Sequence, residues 1–173
     1  MATDVMAMVD DLMLQERWQD AVAFLEARPE AVQSDHRLSW TLGWAHFKLR
    51  NLETARGLLR TAAEMAPDEY AEHFALGTVC LELSEYAEAE KSLLRAMQIR
   101  DTTLARMTLA MAYMEQGRMQ EAEQIHLDGL AAEPKSRDRW ESYGDFLSDQ
   151  GRDAEAEKAY AQAKLLPAAA PGT

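Results

Sequence analysis

The side chains best suited to chemistry in this sequence are four histidines and one cysteine. No two of His36, His46, His73 and His126 have the three- or four-residue spacing with which one helix binds a metal ion. Nothing near Cys80 in the sequence marks it as a nucleophile with a lowered pKa. We therefore expect these five residues to be structural, and we predict no metal site, no cofactor and no catalytic residue.

Carboxylate pairs are the other residues that could do chemistry, as general acids and bases. Glu88 and Glu90 form one such pair and Glu121 and Glu123 another, but both fall on predicted surface helices, where solvation explains them. The sequence also lacks a glycine-rich phosphate loop and a serine elbow. An enzyme is therefore not predicted.

Composition and charge restrict the class of protein and its partners. The 173 residues are 47% hydrophobic with only 8 Gly and 5 Pro, which is typical of a folded, helix-rich chain. The net charge of -12 opposes binding to nucleic acid and to anionic membranes, and no basic stripe offsets it. Because the chain has a single cysteine, no basic signal region and no apolar run long enough to cross a membrane, we predict a cytoplasmic location.

The elements that position these residues are revealed by an internal repeat. A small residue is followed twelve positions later by alanine in four places, with periods of 34, 33 and 34 residues. An apolar residue precedes each small one. The four pairs are Gly43 with Ala55, Gly77 with Ala89, Ala110 with Ala122, and Gly144 with Ala156, and a weaker fifth copy places Ala21 34 residues before Ala55.

This pattern, together with small residues at Ala62, Ala96, Gly129 and Ala163, resembles the tetratricopeptide repeat family over about residues 2 to 166. In that family, small residues allow two antiparallel helices to approach closely and each hairpin to pack on the next. The resemblance implies an all-α fold, a right-handed superhelical solenoid of antiparallel helix pairs with about five hairpins. It also implies that Leu42, Leu76, Leu109, Leu59, Leu93 and Tyr160 form the core.

Turn residues and prolines divide the chain in the same register. We predict a degenerate hairpin and linker over 1–34, four tandem hairpins over 36–69, 70–102, 103–136 and 137–166, and a disordered tail over 167–173. The predicted helices cover 3–15, 18–28, 36–49, 52–65, 70–83, 86–99, 103–116, 119–132, 137–150 and 153–166. Residues 29–35 are predicted to be the longest break.

The family resemblance also assigns a concave groove. In that family, the first helix of each pair exposes the residues at its second, fifth, ninth and twelfth positions to the groove. The predicted groove residues of this chain are apolar except for one threonine, and they are Trp40, Trp44, Phe47, Phe74, Thr78, Leu81, Leu104, Met107, Met111 and Met114. An aromatic or methionine stripe at helical spacing also suits a core, and a terminal segment of the chain could fill the groove. An acidic end is predicted at Asp138, Glu141 and Asp145, favouring Lys or Arg in a ligand, with a solvated acidic face as the alternative.

These residues favour a non-catalytic module that binds an apolar or amphipathic peptide segment, as an adaptor or chaperone, with a protein or peptide as partner. Some tetratricopeptide cochaperones grip a C-terminal carboxylate with Lys, Asn and Arg, but those positions here hold Trp40, Trp44, Ala75, Leu104 and Thr108. One alternative is a self-assembling scaffold that forms homo-oligomers through its terminal helices. Another is a secretion chaperone, because the chain is similar in length and acidity to the type III translocator class, which has about three such repeats.

Overall fold

The computed structural model describes residues 2–167, and over that range every regular element is an α-helix. The helices are α1 (Ala2–Leu14), α2 (Trp18–Glu26), α3 (Pro29–Ser34), α4 (His36–Lys48), α5 (Leu52–Met65), α6 (Tyr70–Glu82), α7 (Tyr86–Ile99), α8 (Thr103–Glu115), α9 (Met119–Ala132), α10 (Arg137–Asp149) and α11 (Asp153–Lys164). Ten of them correspond to the ten predicted helices. Residues 168–173, predicted to form most of the tail, lie outside the described range.

The prediction of a break over residues 29–35 is wrong for most of that segment, because Pro29–Ser34 forms α3. Proline fits the first turn of a helix, where its missing N–H needs no partner. Val32 is buried, and the Ser39 hydroxyl donates to the Val32 carbonyl at 2.7 Å. Most of the segment that was predicted to be a linker is therefore packed against α4. Pro29 also explains why α2 ends at Glu26 and not at the predicted residue 28.

The predicted turns between paired helices are confirmed, and they share one geometry. Glu16, Arg50, Ser84, Gly117 and Gly151 all have positive φ, between 54° and 71°. In each turn the next amide N–H donates to a carbonyl in the last turn of the preceding helix, as in Arg118 to Tyr113 at 2.9 Å. This is the Schellman arrangement, which ends one helix and reverses the chain into the next.

The predicted core leucines are buried, and the small residues opposite them are needed for close packing. A Cβ atom on Gly43 would lie 2.8 Å from Leu59 Cγ, and one on Gly77 would lie 2.6 Å from Leu93 Cγ. Helix α4 therefore packs closely against α5 at Gly43, and α6 packs closely against α7 at Gly77. Tyr160 differs from the prediction, because it is half-buried and its hydroxyl donates to Asp145 at 2.7 Å.

The chain divides into two compact units after Arg100. The N-terminal unit contains α1 to α7, and the C-terminal unit contains α8 to α11. Within the N-terminal unit α4 packs on α2, α3 and α5, and α6 packs on α5 and α7; within the C-terminal unit α10 packs on α8, α9 and α11. The grouping of four hairpins into one continuous array stays a prediction.

Candidate functional site

The aromatic stripe of α4 is half-buried inside the N-terminal unit. Trp40 and Trp44 stack with ring centroids 5.7 Å apart and an angle of 7° between the rings, and Phe47 lies 5.0 Å from Trp44. The Trp40 indole N–H donates to the Ala71 carbonyl on α6 at 3.1 Å. All three rings pack against the buried core between α4 and α6. Each ring already has protein neighbours over much of its surface.

The predicted groove residues of α6 have a similar environment. Phe74 stacks on Tyr70 at 5.6 Å, and the Thr78 hydroxyl donates back to the Phe74 carbonyl at 2.9 Å. Leu81 packs against the same core as the tryptophans. Phe74 and Thr78 therefore have partners within α6 itself, and all three residues are half-buried.

One of these aromatic residues does line a surface cleft. This tryptophan cleft, about 840 Å³, is formed by the first turns of α4 and α6 together with α1. His36 contacts the carboxylate of Glu72 at 2.7 Å, and Arg37 pairs with Asp35 at 3.3 Å. Other lining residues include Met6, Asp10, Trp40, Met65, Glu69 and Ala71. Arg37 and Asp35 therefore neutralise each other, and the Glu72 carboxylate already has a partner in His36.

The methionine stripe of α8, in the C-terminal unit, is exposed instead. Leu104 is 56% exposed, Met107 37% and Met111 53%, while Met114 is half-buried. They lie on the face of α8 opposite Leu109, which is fully buried. The four predicted groove residues of α8 therefore present apolar surface to solvent.

Three of these side chains and two carboxylates line one cleft of about 110 Å³ between α8 and α10, which we call the methionine cleft. The wall on α8 consists of Met107, Met111 and Met114, and the wall on α10 carries Asp145 and Asp149. The remaining lining residues are Ala110, His126, Ser142 and Phe146. The cleft is apolar on one side and acidic on the other.

The predicted acidic end is only partly brought together. Asp145 lines the methionine cleft, but Glu141 pairs with Arg137 at 2.7 Å, and Asp138 lies beside a different cleft at the start of α10. Asp149, which lines the methionine cleft, falls outside the family's groove positions and was missed. Its spacing of four residues from Asp145 was the available signal.

His126 lies beneath the methionine cleft and carries no positive charge at neutral pH. It is 7% exposed and packs against Phe146, with 5.0 Å between ring centroids. Burial, aided by the nearby Arg106 guanidinium, lowers the pKa of His126 to about 4. Its burial against Phe146 is consistent with a structural role.

The group with the most metal-like composition is Cys80 with Glu85 and Glu88, whose ligand atoms lie within 4.8 Å of one another. Both carboxylates are already engaged by guanidinium groups, Glu85 by Arg56 and Glu88 by Arg60. Burial raises the pKa of the fully buried Cys80 thiol to about 12, which keeps it protonated. The arrangement is an ion-paired surface over a buried thiol and is unsuited to holding a metal ion.

A cleft that the sequence did not predict lies between α5, α6 and α7, with a volume of about 700 Å³. Three of its charged lining residues form ion pairs, Arg60 with Glu88, and Arg95 with Asp68 of the loop before α6 at 2.6 Å. Arg60, Glu88 and Arg95 lie on second helices, outside the positions that the repeat register assigns to a groove. No sequence signal distinguished them from a solvated face.

Comparison with family models decides the identity of the repeat. Two models of the tetratricopeptide repeat match the sequence, one over residues 40–105 and the other over 102–132, and together they span more than half of the chain. The chain belongs to the tetratricopeptide repeat family. Within residues 2–167 the helices pair as five tetratricopeptide-type hairpins, of which the first and the last lie outside the matched residues: α1 with α2, α4 with α5, α6 with α7, α8 with α9, and α10 with α11. The family supports a role in protein interaction or as a scaffold.

Solved structures of MamA share this fold. One, titled MamA 41-end from Desulfovibrio magneticus RS-1, has a TM-score of 0.75 and 14% identity, covering 95% of this chain and 94% of that one. A second MamA protein structure has a TM-score of 0.74 and 18% identity, covering 98% of each chain. A third, MamA AMB-1, has a TM-score of 0.70 and 22% identity, covering 98% of this chain and 93% of that one. At these identities the similarity establishes the tetratricopeptide fold alone.

No curated protein matches the sequence. Within residues 2–167, no helix combines the length and the apolar character needed to cross a membrane.

Proposed function

We propose that this protein is a non-catalytic interaction module that binds an apolar or amphipathic peptide segment in its methionine cleft, as an adaptor or chaperone. The observation that carries the proposal is the exposure of Met107 and Met111 at groove positions, beside a cleft with protein walls on both sides. Methionine side chains are flexible and polarizable, so they accommodate partners of different shape. The single cysteine suits action in a reducing cytoplasm.

The energetics are compatible with reversible binding. Burying Leu104, Met107 and Met111 against a partner would contribute about 1.5 to 3 kcal/mol each before costs. Loss of rotational freedom and ordering of the peptide offset much of that sum. We therefore expect dissociation constants in the micromolar range, as is suitable for an adaptor that exchanges partners.

The direct test replaces cleft methionines with polar, uncharged side chains. Fluorescence anisotropy with a labelled amphipathic peptide of leucine and lysine should show at least tenfold weaker binding by the Met107→Gln/Met111→Gln double variant. Met119, also exposed but located on α9 outside the cleft, supplies the control, and Met119→Gln should bind like the wild type. Circular dichroism checks that both variants keep their helicity. Equal binding by all three proteins would refute the proposal.

A second candidate function, a self-assembling scaffold, is supported by the surface that follows the last hairpin. The α8 to α9 hairpin is covered by α10, whereas the next such surface, between α10 and α11, is an open cleft of about 380 Å³. It is lined by Trp140, Tyr143, Leu147, Glu155, Lys158, Ala159 and Gln162.

For this scaffold we propose that a second copy of the chain covers that end cleft. On α11, Ala159 and Ala163 are buried, Tyr160 is half-buried and Ala154 is exposed. Light scattering over a concentration series should then show a mass that rises above that of the monomer. A constant monomer mass at high concentration would contradict it. The type III secretion chaperone stays a prediction.

A further inference from the structure

The two carboxylates of the methionine cleft lack cationic neighbours. Asp145 accepts a hydrogen bond from the Tyr160 hydroxyl at 2.7 Å, and no ion pair within residues 2–167 involves Asp145 or Asp149. Both are exposed. Among the described lining residues the only basic side chain is His126, which is neutral at pH 7. The cleft therefore carries two uncompensated negative charges.

The arginines of the C-terminal unit are engaged elsewhere. All five arginines described between residues 101 and 167 form ion pairs with acidic residues outside the cleft. The pairs are Arg106 with Asp101, Arg118 with Glu121, Arg137 with Glu141, Arg139 with Glu133, and Arg152 with Glu123. Lys135 and Lys158 line other clefts, and Lys164 lies in the last turn of α11. No described arginine of this unit is therefore available to neutralise Asp145 and Asp149.

The positions of the two aspartates are also unfavourable for the isolated helix. Asp145 and Asp149 are four residues apart on α10, so that like charges face each other on adjacent turns. Asp149 is the last residue of α10, where the helix dipole disfavours negative charge. Glu82 has the same place at the end of α6, but Arg50 pairs with it at 2.7 Å. A cation placed between the aspartates would offset both effects.

Residues 165–173, which follow α11, do not supply that cation because they contain neither Lys nor Arg. Charge complementarity therefore favours a separate partner over this segment as the occupant.

We infer that the methionine cleft selects a cationic amphipathic segment of another protein, whose apolar side chains contact Met107, Met111 and Met114 while its Lys or Arg side chains pair with Asp145 and Asp149. This inference rests on the proposed function and specifies the chemistry of the partner. Affinity should fall as salt concentration rises, because these pairs are partly exposed to solvent.

The experiment compares three synthetic peptides of one length and apolar pattern, with lysine, glutamine or glutamate at the polar positions, in fluorescence anisotropy at low salt. The lysine peptide should bind more tightly than the glutamine peptide, and the glutamate peptide should bind least. Asp145→Asn/Asp149→Asn should weaken binding of the lysine peptide by about fivefold, as expected for two partly exposed ion pairs. Binding of the glutamine peptide should not change.

A matched control separates a local effect from the net charge of the chain. Asp153→Asn/Glu157→Gln removes two exposed carboxylates from α11, neither of which lines the methionine cleft, and should leave binding of the lysine peptide within about twofold of the wild type. Equal weakening by both double variants would overturn the inference, since general attraction to an acidic protein would then explain the preference.

The outcomes also distinguish this inference from the proposed function. If the glutamine and lysine peptides bind equally and Met107→Gln/Met111→Gln weakens binding of both, the interaction module stands and the cationic preference is refuted. If the wild type binds none of the peptides, both fail.

Discussion

In the N-terminal unit, Trp40 and Trp44 stack on each other and pack against α6, whereas in the C-terminal unit Met107 and Met111 occupy equivalent repeat positions on α8 and face solvent. The long indole side chains span the space to the next first helix, and the Trp40 N–H reaches the Ala71 carbonyl. The flexible methionines line a cleft with α10 instead. One position in the repeat can therefore serve packing in one hairpin and exposure in another, depending on the side chain.

The largest expected difference between the units is in stability. Trp44→Ala should lower the free energy of unfolding by about 2 to 3 kcal/mol, because it removes a large, half-buried ring from between Trp40 and Phe47. Met111→Ala should lower it by less than about 0.5 kcal/mol, because that side chain is already exposed. Urea unfolding followed by circular dichroism measures both. Similar losses for the two variants would remove the distinction between a packed and an open stripe.

A second difference is sensitivity to acid, which the buried His126 gives to the C-terminal unit. Burial holds its folded-state pKa at about 4, below the ordinary value of 6.5, so the unfolded chain takes up the proton first as pH falls. Above pH 7 the imidazole therefore leaves the free energy of unfolding almost unchanged. Between about pH 6.5 and pH 4 it lowers this free energy progressively, by about 2 kcal/mol at pH 5. His126→Gln should lose that part of the pH dependence in urea unfolding at pH 7 and pH 5. The control His73→Gln should keep it, and loss in both would contradict the assignment to His126.

The smallest expected effects concern the turns, where the two units use different residues for one geometry. Ser84 has a φ of 60° and Gly117 a φ of 71°. Ser84→Gly should stabilise the fold by up to about 1 kcal/mol, and Gly117→Ala should destabilise it by about 1 kcal/mol, since only glycine adopts this conformation without strain. No atom lies within 4 Å of a Cβ placed on Gly117, so the effect arises from the backbone. Thermal unfolding of both variants checks the opposite signs.

The fold was predictable because the repeat register assigns the same packing role to many residues at once. Leu59 and Leu93 are each fully buried opposite the glycines that the pattern singled out. Helix α3 was not predicted, since Pro29 and its polar neighbours resemble a linker and only the tertiary burial of Val32 distinguishes them. Neither the composition nor the local sequence pattern of this segment indicates that Val32 is buried.

The candidate site was predictable only in part, because the sequence does not determine which side chains extend to neighbouring helices and become half-buried. The register assigned groove positions by backbone direction, but Phe47 and Leu81 are long enough to fold against neighbouring helices and become half-buried. Asp149 was missed because it lies beyond the positions carried over from the family, at the end of α10. Which side chains remain free depends on the packing between hairpins, and the spacing of residues within one helix does not determine it.

Nuclear magnetic resonance of the methionine methyl groups can show whether the methionine cleft is the binding surface. The protein is labelled with carbon-13 at these methyls and titrated with the leucine and lysine peptide. We predict that the signals of Met107, Met111 and Met114 shift progressively and saturate together, while that of Met119 stays in place. Shifts at Met119 as large as those of the cleft methionines, or no shift in the cleft, would contradict this prediction.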